Sequence, residues 1–177
     1  MLSDAGITLV GFVPDGGLRE LIERLGADPA IGTVALTTEE EGVAMCVGAH
    51  LGGGRGAVLM QSSGVGNCIN MVGMLGTCQV PALLLVTMRG QTGEANPWQV
   101  PMGQAAGETL EALGVDVRRA STSDAVPAEV ARACEDAFGG GSNASGGGIA
   151  VLIDQAVIGV KSFDTGQGGP PHPGSAP

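Results

Sequence analysis

The segment Ala82-Leu83-Leu84-Leu85-Val86 decides the fold, because five consecutive apolar residues predict a strand that is buried on both faces. Strands of this kind lie in the middle of parallel sheets that carry helices on each side. Around this segment, short apolar runs alternate with stretches of helical spacing. The sequence therefore predicts a three-layer α/β/α fold with a mostly parallel sheet of about six strands.

The other strands and helices are predicted from apolar periodicity and from the positions of glycine and proline. Asp15 is the predicted N-cap of the first helix. Ligands of parallel sheets bind where strands end, so we expect the functional site in loops 37–41, 61–67 and 87–99. Strands are predicted at 7–10 (reaching 12), 33–36, 56–61, 115–118 and 149–153, and helices at 18–25, 39–51, 66–77, 102–113 and 124–138.

Two segments rich in glycine are predicted to lie outside the regular elements. Residues 139–148 are typical of a flexible surface connection. The last residues, from about 164 onward, are rich in glycine and proline and are predicted to be disordered. We therefore assign residues 1–160 to one α/β domain and residues 161–177 to a flexible tail.

Composition and charge exclude several classes of partner. The chain has 177 residues, of which 44% are apolar and 15% charged, as in a globular domain. Eight basic and 18 acidic residues give a net charge of -10, which disfavours nucleic acid and anionic membrane surfaces. The sequence shows neither a signal peptide nor an apolar run long enough to span a bilayer, so we expect a cytoplasmic protein.

Several common kinds of site have no support in the sequence. No cluster of histidine and cysteine suits zinc, and the four cysteines are expected to be buried free thiols, so no metal site is predicted. The glycines at 52–56 follow a helix and precede a strand, the reverse of a nucleotide-binding loop. His50 and His172 are the only histidines, which makes a Ser-His-Asp triad improbable.

Two polar segments remain as candidates for chemistry. Glu39, Glu40 and Glu41 either cap a helix or include one acid that handles a proton. Segment 61–67 (Gln61-Ser62-Ser63-Gly64-Val65-Gly66-Asn67) follows a buried strand, and its glycines allow a ligand to approach the backbone. The alternative is that this segment is only a well-capped helix start.

Taken together, these segments resemble the pyrimidine-binding domain of thiamine-diphosphate enzymes. The resemblance extends from about residue 6 to residue 154 and is strongest to the sulfopyruvate decarboxylase alpha subunits, followed by the phosphonopyruvate decarboxylases. It rests on Thr38-Glu39-Glu40-Glu41-Gly42 with Gly48 nine residues after Glu39, and on segments 12–15, 58–67, 84–90 and 96–103.

The resemblance implies the roles of individual residues. The spacing to Gly48 selects Glu39, rather than Glu40 or Glu41, as the catalytic acid that hydrogen-bonds N1′ of the cofactor's aminopyrimidine. The substrate would be a small anionic 2-oxo acid, 3-sulfopyruvate, which is converted to sulfoacetaldehyde and CO2. Arg89 either binds its anionic group or forms a structural salt bridge. The other implied contacts are Ser63, Gly64 and Asn67 to the cofactor and Gln61 and Ser62 to the substrate.

The resemblance also implies a second protein chain. Full-length relatives bind the diphosphate and Mg²⁺ through Gly-Asp-Gly and a later Asn-Asn, and neither pattern occurs in these 177 residues. A beta subunit would therefore hold Mg²⁺ and the diphosphate, while this chain would bind only the pyrimidine end. We expect self-association of alpha subunits and no activity without the beta subunit.

Two other functions remain open at this point. The chain could be a subunit of a phosphonopyruvate decarboxylase, because the two substrates differ only in their anionic group. It could also be a non-catalytic structural or regulatory subunit of a thiamine-diphosphate enzyme, although such a subunit has no need of an acid at Glu39. Trp98, the only tryptophan, is expected to anchor loop 89–99 by packing, with contact to the substrate as the alternative.

Overall fold

The fold is a single parallel sheet between two layers of helices. The computed structural model describes residues 1–139 and 147–159. The strands are β1 (Leu9–Phe12), β2 (Gly32–Ala35), β3 (Gly56–Gln61), β4 (Ala82–Thr87), β5 (Asp116–Ala120) and β6 (Gly148–Ile153). The helices are α1 (Arg19–Gly26), α2 (Glu39–Leu51), α3 (Ser62–Thr77), α4 (Val100–Ala112), α5 (Ala125–Phe138) and α6 (Gln155–Ile158), with 3₁₀ turns at Gly16–Leu18 and Pro97–Gln99.

The six strands are all parallel and run in the order β2-β1-β3-β4-β6-β5. β3 and β4 pair along their whole length, from Gly56 opposite Ala82 to Gln61 opposite Thr87. Their carboxyl ends therefore lie at the same level. This arrangement confirms the predicted three-layer α/β/α fold and its mostly parallel sheet of about six strands.

β4 lies at the centre of the sheet and is buried throughout, as the apolar run predicts. Leu83 and Leu85 join the core on the α1 and α5 side, while Leu84 and Val86 join the core under α2, α3 and α4. Each such side chain contributes roughly 1.5–3 kcal/mol when fully buried. The hydrophobic contacts on both faces thus hold the helix layers to the sheet.

The sequence placed most elements correctly but put the start of α3 four residues too late. α2 and β3 have the predicted bounds, and Asp15 caps the first 3₁₀ turn by accepting a hydrogen bond from Gly17 N at 3.1 Å. α3 begins at Ser62 instead of residue 66, so most of the predicted 61–67 loop is helix. Glycine disfavours a helix by about 1 kcal/mol, but the contacts of Gly64 described below outweigh that preference.

Some predictions concern features outside the described part of the chain. Residues 140–146 of the glycine-rich connection and the domain boundary at 160, together with the tail 161–177, lie outside the described residues. Cys78 is exposed, contrary to the expectation of buried thiols, while Cys46, Cys68 and Cys134 are buried. Within 1–139 and 147–159, no helix has both the length and the apolar character of a membrane span, and no acidic, histidine or cysteine cluster could hold a metal.

Candidate active site

The three consecutive glutamates have different environments. Glu39 is the first residue of α2 and is only 4% exposed, whereas Glu40 and Glu41 are exposed. Glu41 fixes the backbone that enters the helix, because its Oε2 accepts a hydrogen bond from Thr37 N at 2.9 Å. The acidic run therefore places one acid at the start of the helix backbone and another in the interior. Glu39 is the one of the three acids whose side chain is buried.

Glu39 is held by two residues of α3. Asn67 Nδ2 donates a hydrogen bond to Glu39 Oε2 at 2.8 Å. Gly64 faces the same carboxylate so closely that an added Cβ would overlap Oε1. Among the described residues no hydrogen bond to Oε1 is found, which leaves an acceptor of this buried residue available to a ligand. The start of α2 also places the carboxylate at the positive end of the helix dipole.

Cys68 lies close to this carboxylate. Burial, with a smaller contribution from the negative charge of Glu39, raises the pKa of the Cys68 thiol to about 12. The thiol donates a hydrogen bond to Val65 O at 3.5 Å. Cys68 is therefore a protonated packing residue at neutral pH and does not compete with Glu39 for a proton.

A groove with a volume of about 960 Å³ lies beside Glu39, between the start of α3 and the loop before α4. Asn67 is shared by the two features, since it lines the groove and also binds Glu39. None of the lining side chains is charged, although the chain is strongly acidic. The groove is lined by Ser63, Gly66, Asn67, Asn96, Pro97, Trp98, Pro101 and Met102.

A second buried polar cluster lies at the carboxyl ends of β1 and β4. Arg89 is 2% exposed, and its guanidinium donates to both carboxylate oxygens of Asp15 at 3.2 Å. Thr87 Oγ1 donates to Asp15 Oδ2 at 3.1 Å, and Arg89 N donates to Ser62 Oγ at 3.0 Å. The cluster thereby ties the first residue of α3 to the ends of two strands.

The structure places most of the predicted site residues in two separate groups. Glu39, Ser63, Gly64 and Asn67 come together at or beside the groove. Ser62 and Arg89 are enclosed in the second cluster, which agrees with the structural salt bridge that the sequence left open for Arg89.

Gln61, predicted with Ser62 and Arg89 as a substrate contact, is half-buried at the end of β3. Its Oε1 accepts a hydrogen bond from Gln99 Nε2 at 3.4 Å. Gln61 is thus the member of the three whose side chain is partly accessible. It links the end of β3 to the loop that precedes α4.

The prediction that Trp98 packs against its own loop is wrong, because Trp98 is 86% exposed. Glu94 holds the loop instead. Its carboxylate accepts hydrogen bonds from Asn96 N at 2.9 Å, Gly90 N at 3.1 Å and Gln155 Nε2 at 2.9 Å. These bonds, led by the one from Asn96, lower the pKa of Glu94. Sequence reasoning missed Glu94, since one acid in a polar loop carries no distinctive signal.

Two solved structures share the fold over nearly the whole chain. An enzyme of Mycobacterium smegmatis described as thiamin diphosphate-dependent matches with a TM-score of 0.68 at 18% identity, covering 93% of this chain and 32% of that one. The 2-oxoglutarate:ferredoxin oxidoreductase of Magnetococcus marinus matches with a TM-score of 0.64 at 14% identity, covering 94% and 32%. The chain therefore has the fold of one domain of these enzymes and spans about a third of their length.

Sequence relatives identify the family within this structural class. The sulfopyruvate decarboxylase alpha subunit of Methanothermobacter thermautotrophicus is 42% identical over 118 residues, which cover 66% of this chain and 72% of the relative. That of Methanococcus maripaludis is 38% identical over 68% of this chain and 73% of the relative. The chain belongs to the family of sulfopyruvate decarboxylase alpha subunits, which confirms the resemblance read from the sequence.

Another relative has a longer chain. The phosphonopyruvate decarboxylase of Streptomyces viridochromogenes is 38% identical over 62% of this chain, but the match covers only 28% of the relative. No family model matches the chain.

The buried pair of Asp15 and Arg89 gives a prediction about stability. Asp15→Ala should lower the free energy of unfolding by roughly 3–5 kcal/mol, because it leaves the Arg89 charge buried without its partner. Urea unfolding followed by circular dichroism measures this change. Arg24→Ala is the matched control, since it breaks an exposed ion pair with Glu20 and should cost about 1 kcal/mol or less. Equal losses in the two variants would contradict the importance of the buried pair.

Proposed function

We propose that this chain is the alpha subunit of a heteromeric thiamine-diphosphate-dependent decarboxylase that converts 3-sulfopyruvate to sulfoacetaldehyde and CO2. Membership of the sulfopyruvate decarboxylase alpha-subunit family supports the reaction. The single observation that carries the proposal is the buried carboxylate of Glu39, which lies at the carboxyl edge of the sheet with one oxygen unbonded among the described residues.

The residues around Glu39 fit the aminopyrimidine ring of the cofactor. Glu39 Oε1 would hydrogen-bond the ring nitrogen N1′ and hold the shared proton, while Asn67 fixes the carboxylate through Oε2. Gly64 leaves room for the Glu39 carboxylate itself, and Ser63 lines the adjoining groove. When bound, thiamine diphosphate supplies the nucleophilic carbon and the electron sink that decarboxylation of a 2-oxo acid requires.

Burial of Glu39 serves this role in two ways. A carboxylate shielded from water interacts more strongly with a bound ring, because the local dielectric constant is low. A single hydrogen bond from Asn67 orients the group without satisfying both oxygens. The Glu39 carboxylate is therefore held at a defined place for contact with a bound ring.

The substrate contacts predicted for Gln61, Ser62 and Arg89 stay predictions. Gln61 is the best placed of the three, because its side chain is only half-buried. An anionic sulfonate requires a cation or several hydrogen-bond donors. Arg89 would have to leave Asp15 to supply one, so we expect the partner subunit to provide part of that pocket.

A beta subunit is proposed to hold the diphosphate and Mg²⁺. The relatives are named as alpha subunits, which supports a second kind of chain. In the Streptomyces relative the matched region is 28% of one long chain, consistent with a site that needs further protein. The beta subunit would be recognised by Gly-Asp-Gly and a later Asn-Asn. Self-association of alpha subunits and a cytoplasmic location also stay predictions.

Two alternatives are tested with the same assembled protein. Phosphonopyruvate is the second substrate to assay, because the Streptomyces relative is named for it. A non-catalytic subunit would leave the mixed subunits without turnover of either acid. Titration calorimetry with thiamine diphosphate would then distinguish a complex that binds the cofactor from one that does not.

Glu39→Gln should abolish turnover by the assembled subunits. Glutamine keeps the size of the side chain and an acceptor for Asn67 but cannot hold the proton, so kcat should fall by at least about 100-fold. Glu40→Gln is the control, because Glu40 is exposed on the same helix turn and should keep kcat within about twofold. A coupled assay of sulfoacetaldehyde formation measures both. Near-normal rates for Glu39→Gln would rule out the assigned role.

Gly64→Ala should weaken the site without unfolding the chain. The new methyl group displaces the flexible end of Glu39, so we expect an affinity for thiamine diphosphate at least about tenfold lower, since a lost hydrogen bond to a charged group is worth roughly 1.5–3 kcal/mol. Gly73→Ala is the matched control in the same helix, because an added Cβ there meets nothing within 4 Å. Calorimetry on the assembled subunits measures both affinities, and unchanged affinity in Gly64→Ala would contradict this assignment.

A further inference from the structure

Trp98 is the most exposed large apolar residue in the described part of the chain. It is 86% exposed, and it is the only tryptophan among 177 residues that include no tyrosine. Pro97 is exposed beside it, and Met102 lines the same groove. Tryptophan is enriched among the residues that dominate binding energy at protein interfaces. Such a side chain on a protein so poor in aromatics indicates a binding role.

The backbone that carries Trp98 is ordered before any partner arrives. Asn96 Oδ1 accepts a hydrogen bond from Trp98 N at 3.1 Å and caps the 3₁₀ turn Pro97–Gln99. Glu94 fixes the start of this turn through Asn96 N and joins it to α6 through Gln155. Rigid presentation reduces the conformational entropy that binding would otherwise cost. The indole is therefore exposed on a fixed support and not on a loose loop.

We propose that Trp98, with Pro97 and Met102, is the anchor by which the partner subunit docks and closes the groove over Glu39. This inference rests on the proposed function, since the partner is the subunit that holds the diphosphate end of the cofactor. The partner must offer an uncharged apolar pocket, because no charged side chain lines the groove. Charged residues are depleted in the core of protein interfaces in the same way.

Continuity with Glu39 identifies the occupant. Asn67 lines the groove and binds the Glu39 carboxylate, so a protein that fills the groove also reaches the proposed site. A second copy of this chain would bring another glutamate and another net charge of -10, but not the missing diphosphate ligands. The partner subunit is the occupant that would both cover Trp98 and complete the site.

A fluorine label tests the position of Trp98 directly. The chain is produced with 5-fluorotryptophan, which gives one ¹⁹F resonance because there is one tryptophan. The cognate partner subunit, recognised by Gly-Asp-Gly and a later Asn-Asn, is added unlabelled. We expect the resonance to shift and to lose its H₂O/D₂O isotope effect as the indole leaves water.

Variants measure how much binding depends on this side chain. Trp98→Ala should raise the dissociation constant for the partner by about 30-fold or more, as expected for a tryptophan hot spot. Trp98→Phe should restore part of the affinity. Leu51→Ala is the matched control, because Leu51 is 81% exposed but lies at the opposite edge of the sheet, before β3. It should leave the dissociation constant within about twofold.

The outcomes separate this inference from the proposed function. In one outcome, the wild-type mixture forms a complex and binds thiamine diphosphate, but Trp98→Ala binds the partner normally and the ¹⁹F resonance stays solvent-exposed. The anchor is then wrong, and the proposed function stands. If the resonance changes with the concentration of this chain alone, a second copy occupies the groove and the inference is overturned. If the mixture neither assembles nor binds cofactor, the proposed function itself fails.

Discussion

The hydrogen bond between Asn67 and Glu39 is the contact on which the rest of the site depends. A buried carboxylate is costly unless hydrogen bonds or charges compensate it. Asn67 compensates one oxygen, and it can do so only because α3 starts at once after β3 and passes within contact of α2. That close passage requires a residue without a side chain at Gly64. The position of one acid thus determines where α3 begins and which residue its first turn contains.

The second buried polar cluster, which contains Asp15 and Arg89, also constrains the position of α3. Ser62 is the first residue of α3, and its hydroxyl oxygen accepts the hydrogen bond from Arg89 N after β4. The Arg89 guanidinium then reaches Asp15 after β1. Because buried ion pairs lose most of their value when one partner is removed, the cluster fixes the geometry of three chain segments together. α3 is therefore fixed through Ser62 at its first residue, and its Asn67 binds Glu39. Together these contacts keep the carboxylate of Glu39 in place.

Local sequence signals predicted the sheet well and the surface of the site less well. The apolar run of β4 and the periodicity of α2 depend mainly on burial, which a sequence pattern records directly. The start of α3 could not be predicted, since glycine propensity argues against helix while the need for close contact is a tertiary effect. The packing of Trp98 was predicted wrongly for a similar reason. The size of a tryptophan suggests a packing role, and only the fold shows that this side chain is exposed to solvent. Glu39 was selected by a family spacing, and its burial separates it from Glu40 and Glu41.

Exposure of Trp98 is understandable if one site is divided between two polypeptides. When two halves of a site lie in one chain, their effective concentration is set by the connection between them. Separate subunits lack that advantage, so the surface itself must provide the affinity. An ordered loop that presents one large aromatic residue provides it at little entropic cost, because Glu94 and Asn96 fix the backbone beforehand. A neutral groove also lets an acidic chain dock without burying unpaired charge. In the proposed assembly, the exposed Trp98 and the neutral groove are therefore the features that suit this chain to binding a partner.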